Sequence, residues 1–240
     1  MIEIKPSIDS IPVNILRFYI QFSKPMQEMD ILKHNKLTNE DGKNITGVFF
    51  ENQYELWNND RTEVTLIVDP GRVNLGLLAN NKMGRAFDEG KRYTFTVDSL
   101  LLDFNDQKLA KSYSQIFYAI AEDRTPPNPK IWELKLPKNK TKDLLTINAN
   151  DKIDHISANT LIKIIMNNTE VKGNFVLQKN MQNILFYPDK NWKKGNYQIV
   201  IHPNLEDIAA NSVNQTFDHK PSEYNKITDN QFVNFTLNNE

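Results

Sequence analysis

From Ile15 to Phe22 apolar and polar side chains alternate, with Leu16, Phe18, Ile20 and Phe22 on one side and Arg17, Tyr19 and Gln21 on the other. A period of two marks a strand with one buried face. The period returns at Val64, Leu66 and Val68, where Asp69-Pro70-Gly71 stops it, and again at Tyr93, Phe95 and Val97. Val48-Phe49-Phe50 follows the turn around Gly42 and predicts a further short strand. Ser114 to Ile120 reads as the strand that closes the first half of the chain. Strands at intervals of roughly ten to fifteen residues, with polar turns between them, predict an antiparallel sandwich.

The second half repeats the first. Gly90-Lys91-Arg92-Tyr93-Thr94-Phe95, then Leu101-Leu102-Asp103 and Leu109, recurs as Gly195-Asn196-Tyr197-Gln198-Ile199, then Leu205-Glu206-Asp207 and Val213. The first alternating run recurs at Leu144-Leu145-Thr146-Ile147-Asn148-Ala149, and further strands are predicted at 161–164, 173–177, 184–187 and 232–237. A repeat of this size means two copies of one folding unit, each about a hundred residues long. The expected fold is therefore all-β: two tandem antiparallel β-sandwiches, spanning 1–122 and 131–240. A Pro-rich linker over 123–130 joins them. Pro126, Pro127 and Pro129 cannot donate backbone hydrogen bonds and favour a stiff, extended path. Trp132, just beyond, is placed to pack into the junction between domains.

The copies differ at residues 71–89, which the second half crosses in the few residues from Pro188 to Gly195. Long excursions in compact sandwiches are uncommon and often functional. Leu75, Leu77, Leu78 and Phe87 are expected to pack on the sandwich, leaving Arg72, Asn80, Lys82 and Arg85 at the rim as candidate binding residues. Tyr54, Trp57 and Arg61 form a second candidate group, since Trp and Tyr on a loop can stack on sugar rings or anchor a protein partner. The competing expectation is that Trp57 caps one end of the sandwich. Every arginine lies at or before Arg124, which points to the first domain for any ligand.

Composition narrows the chemistry. The 240 residues carry a net charge of −1 with acid and base interspersed, so there is no electrostatic footprint for nucleic acid or an anionic membrane. Cysteine is absent, which excludes disulfides, thiol nucleophiles and zinc ribbons. No stretch approaches the roughly 20 apolar residues that cross a bilayer as a helix. Met1-Ile2-Glu3-Ile4-Lys5 lacks the apolar core of a signal peptide. Two readings follow: a cytoplasmic protein starting at Met1, or an exported one whose signal has been trimmed.

Phe22-Ser23-Lys24-Pro25-Met26, the Gly90-Lys91-Arg92-Tyr93 strand start and the Asp103-Phe104-Asn105-Asp106 turn together resemble the bacterial Ig-like domain named for the S-layer protein SbsA. The second copy keeps Gly195, Tyr197, Asp207 and Asn211 but has Asn150-Asp151-Lys152-Ile153 in place of the first motif. The resemblance covers nearly the whole chain as a tandem pair. It implies a spacer, adhesive or accessory domain of an exported bacterial protein, periplasmic or at the cell surface, often lipid-anchored.

No catalytic frame emerges. His34, His155, His202 and His219 fall in no His-Glu-x-x-His spacing, and no P-loop, nucleophile elbow or dinucleotide fingerprint is present. Met26 and Met29 beside His34 invite a Cu(I) reading, against which Met26 already belongs to the family turn. Asp103 with Asp106, and Asp207 with Asn211, offer oxygen atoms to Ca²⁺, or else form Asx turns on their own backbone. The leading expectation is a non-enzymatic surface-binding, adhesion or spacer protein without cofactor, whose partner is a protein or glycan at the cell surface. The alternative is a carbohydrate- or metal-binding (Ca or Cu) accessory module.

Overall fold

The computed structural model describes residues 3–51, 53–73, 84–218 and 229–238. The chain divides into two compact units, Met1–Asp123 and Arg124–Glu240.

In the first unit, β1 (Glu3–Lys5), β3 (Arg17–Gln21), β6 (Glu63–Ile67) and β5 (Leu56–Trp57) form one four-stranded sheet in the order β1-β3-β6-β5. The other sheet has β2 (Ser10–Pro12), β8 (Tyr113–Ile120), β7 (Arg92–Val97) and β4 (Asn35–Asn39) in the order β2-β8-β7-β4. All pairings are antiparallel except the one between β2 and β8, which is parallel. The sheets close on an aromatic core. Phe18 of β3 meets Phe95 of β7 at 5.4 Å and Phe117 of β8 at 5.8 Å between ring centroids. Tyr93, Phe95 and Val97 are buried while Thr94 and Thr96 face outward, as alternation on a half-buried strand demands.

Val48–Phe50 is no strand. It touches β6's end through the single bridge Phe49 to Val68, with Phe49 turned to the core and Phe50 outward. Beyond Val68 the backbone makes one helical turn, α1 (Pro70–Val73), whose Gly71 N–H is accepted by the Asp69 carboxylate at 2.8 Å. The unit's end is tied back to its start: Asn14 donates to Asp123 O at 2.6 Å and accepts from Asp123 N at 2.9 Å.

The second unit opens on a 3-10 turn, Pro129–Ile131, capped by the Asn128 side chain. Its first sheet has β13 (Gly173–Leu177), β14 (Asn183–Pro188), β10 (Leu145–Asn148) and β9 (Glu133–Lys135) in the order β13-β14-β10-β9. Its second has β12 (Thr169–Glu170), β11 (Ile162–Met166), β15 (Gly195–Ile201) and β16 (Gln231–Leu237) in the order β12-β11-β15-β16. A short helix, α2 (His155–Thr160), precedes β11, with the Asp154 carboxylate accepting from Ser157 N at 3.0 Å as its N-cap. Trp132, expected at a domain junction, is a member of this unit's own hydrophobic core with Leu145, Ile147, Phe186 and Ile199.

The repeat is physical as well as textual. Tyr93 stacks on Phe117 (5.7 Å, 24°) and meets Phe87 edge-on (5.2 Å), and its hydroxyl accepts from Asp88 N. Tyr197 stacks on Phe235 (4.9 Å, 7°) and meets Trp192 edge-on (5.3 Å), and its hydroxyl accepts from Lys193 N. Two tyrosines a hundred residues apart thus occupy the same niche.

Candidate functional site

The first unit presents an apolar shelf beside β5. Phe50, Tyr54 and Leu56 line one shallow depression, floored by Ile31, Leu66 and Ile67, and are exposed by 47%, 73% and 41%. Large apolar side chains grouped in this way are the observation that needs explaining, since single exposed ones are ordinary. Glu55 holds the shelf in place. One carboxylate oxygen accepts from Ile31 N and the other from Trp57 Nε1 at 2.5 Å. The first bond matters because Asp30, at the start of the 3-10 turn Ile31–His34, has a left-handed backbone (φ 59°) and gives no side-chain cap. Glu55 supplies the missing acceptor from across the loop.

The predicted site residues fare differently. Tyr54 is exposed as expected. Trp57 is half-buried, with its ring 5.7 Å from Phe22, so it caps the sandwich edge. Arg61 sits at φ 57° in the turn before β6 and pairs with Glu28 at 2.7 Å. Arg85 pairs with Glu122 and is half-buried.

Arg72 is a correction: it is buried, not at a rim. Its guanidinium donates to the carbonyls of Thr46, Gly47, Gly84 and Arg85 at 2.8–3.2 Å. Phe87 is buried as expected. Asn80 and Lys82, with Leu75, Leu77 and Leu78, lie outside the described residues.

Asp103 and Asp207 both accept hydrogen bonds from their own turns. Asp103 Oδ1 accepts from Asn105 N (2.8 Å) and Gln107 N (3.0 Å), and Oδ2 faces Lys24 Nζ at 3.4 Å. Asp207 Oδ1 accepts from Ala209 N (2.8 Å) and Asn211 N (2.9 Å), and Oδ2 from Asn211 Nδ2 (2.8 Å). In both turns one carboxylate oxygen, Oδ1, accepts the N–H groups of the residues two and four positions on. Met26 is buried beneath the first turn, bridged to Asp103, and its sulfur is part of the core. His34 Nδ1 lies 3.1 Å from Asp98.

The backbone N–H of Gln107, with Asn105 N–H and Lys24, outweighs burial and holds the Asp103 carboxyl below its ordinary range. A carboxyl depressed on folding contributes its full stability above the unfolded pKa, about 4, and loses it as pH falls through the folded value. Wild type is therefore expected to exceed Asp103→Asn in stability at neutral pH, with the gap closing in acid. Urea titrations across pH read the gap; one that stays constant contradicts the assignment.

Phe50, Leu56 and Glu55 were not singled out by the sequence, although one signal existed. Adjacent Phe49 and Phe50 on an extended segment cannot both face one core.

Among the described residues no helix is long and apolar enough to cross a membrane. No family model matches the chain, and no curated protein matches it. Solved structures do. A crystal structure of native alpha-2-macroglobulin from Escherichia coli, spanning domains MG0-NIE-MG1, is 11% identical over 99% of this chain and 70% of its own, with a TM-score of 0.31. Domains 1–6 of the surface layer protein SbsC are 9% identical over 100% of this chain and 41% of theirs, with a TM-score of 0.33. At such scores the sandwich stands on the strand pairing described above, in which each unit has two four-stranded sheets.

Proposed function

We propose that this chain is a non-enzymatic, exported bacterial protein of SbsA-type tandem Ig-like domains that binds a partner at the cell surface through the Phe50–Tyr54–Leu56 shelf. The exposure of Tyr54 beside two further apolar side chains, on a loop pinned by Glu55, carries this reading. A rigid aromatic group with a polar tip loses little entropy on docking and makes a good contact anchor.

The shelf also suits the face of a sugar ring, so the carbohydrate-binding alternative shares the site and differs in the ligand. A glycan array and a binding screen against surface proteins of the producing cell, each run with wild type and Tyr54→Ser, separate them. Saturable protein binding weakened about tenfold or more in Tyr54→Ser is the expected result, with unfolding unchanged within about 0.5 kcal/mol because the side chain is exposed. Sugar binding lost in the same variant transfers the site to the alternative. Binding of either kind that ignores Tyr54→Ser removes the shelf from both. Export is tested by fractionating cells that express the natural reading frame, where recovery in the cytoplasm overturns it.

A further inference from the structure

Sheet edges are exposed templates for strand pairing, and natural proteins blunt them by shortness, charge, proline or a covering element. Among the described residues, seven of the eight edges are blunted in one of these ways. β1, β2 and β9 have 3 residues each, and β5 and β12 have 2. β4 carries Lys36, and β13 is 5 residues long and begins on Gly173. The exception is β16: Gln231-Phe232-Val233-Asn234-Phe235-Thr236-Leu237 has 7 residues without charge, proline or glycine.

The first unit sharpens the contrast. Phe117 pairs with Tyr93 as Phe235 pairs with Tyr197, so β8 is the counterpart of β16. The edge of β8 is occupied: β2 lies along Tyr118–Ile120, and the Gln115 amide donates to Pro6 O and Ile8 O. In the second unit the stretch after β9 turns elsewhere, with Lys140 N donating to Trp192 O and Trp192 N to Thr141 O. Among the described residues no backbone hydrogen bond reaches the outer edge of β16. The Pro129–Ile131 turn passes close by and bonds only within its own unit's loops.

We propose that β16 pairs antiparallel with β16 of a second copy of this chain, with the two-fold axis at Asn234. An uncharged strand meets its own copy without like-charge repulsion, and every other edge strand lacks its length or its neutrality. On the outer face Phe232, Asn234 and Thr236 are exposed. The two-fold sets Phe232 opposite Thr236 twice, an aromatic–β-branched pair of the kind that stabilises sheets, and sets Asn234 opposite itself. Asn234 is anchored for this by Gln198, and Thr236 by Asn196. The result joins two four-stranded sheets into one continuous sheet, an isologous contact that closes at two copies.

Sedimentation velocity of the full chain over a concentration series tests this with wild type, Asn234→Lys, Asn234→Asp and an equimolar mixture of the two variants. Wild type is expected to approach twice the monomer mass. Each variant alone should dimerise about tenfold more weakly or not at all, because the axis puts like charges face to face. The mixture should recover the dimer, since Lys then faces Asp, and recovery also shows that both variants are folded. A wild type that stays a single chain at the highest concentration overturns the proposal and leaves the edge to an extended segment of another protein. A dimer indifferent to Asn234→Lys, or singles that fail to recover when mixed, overturns it equally.

Discussion

Replacing Phe18 by Ala should lower the stability of the first unit by about 3–5 kcal/mol, the range for large aromatic side chains removed from a packed core. Phe18 is fully buried, and its ring lies within 6.3 Å of those of Phe49, Phe87, Phe95 and Phe117, which come from β7, β8 and two loops. No neighbour can move into the space without leaving its own contacts, so the cavity persists and its cost adds to the lost transfer energy. Phe50→Ala is the control. That ring is outside the core, and its loss should change stability by less than about 0.5 kcal/mol. Hydrogen exchange read peptide by peptide assigns the effect to β3, β6, β7 and β8. A loss below about 1 kcal/mol for Phe18→Ala would mean that the two sheets do not close on this ring.

Strands with one face in the core could be read directly. In β3, β7, β15 and β16 nearly every second residue is apolar, because each strand meets the opposite sheet along its length. β4 lacks that pattern for the converse reason. As an edge strand it buries Leu37 alone, and Asn35, Lys36, Thr38 and Asn39 read as loop. α2 is 6 residues long, too short for a helical period, and its one sequence mark is the capping Asp154.

The candidate site was legible in part. Tyr54 stands out as an aromatic in a polar stretch, but its companion Phe50 lies in an apolar run that looked like a strand. Whether Trp57 faces solvent depends on Phe22, which is 35 positions away in the sequence and adjacent only after β3 and β6 pair. Local pattern encodes burial by the residue's own strand. It does not encode what arrives from elsewhere in the fold.

Arg72 is the sharpest case, and its substitution is the second large effect. In sequence it is a cation in a long excursion, with the look of a ligand-binding residue. In the structure its guanidinium joins the Thr46–Gly47 turn to Gly84–Arg85, segments 37 positions apart, through backbone carbonyls that have no reason to converge without it. Burial pulls its pKa down, and the charges of Asp69 and Asp88 oppose that shift. Arg72→Met would leave those carbonyls without this donor, at about 3–5 kcal/mol, the scale of breaking a buried charged cluster by removing one member. Arg72→Lys should recover only a minor part, because one ammonium cannot reproduce the planar fork that reaches all these oxygens together. A surface cation held for a ligand predicts the opposite: both variants within about 0.5 kcal/mol of wild type, and a defect only in binding. Urea denaturation of the two variants decides between an arginine that builds the first unit and one that serves a partner, and a near-wild-type Arg72→Lys would return it to the rim.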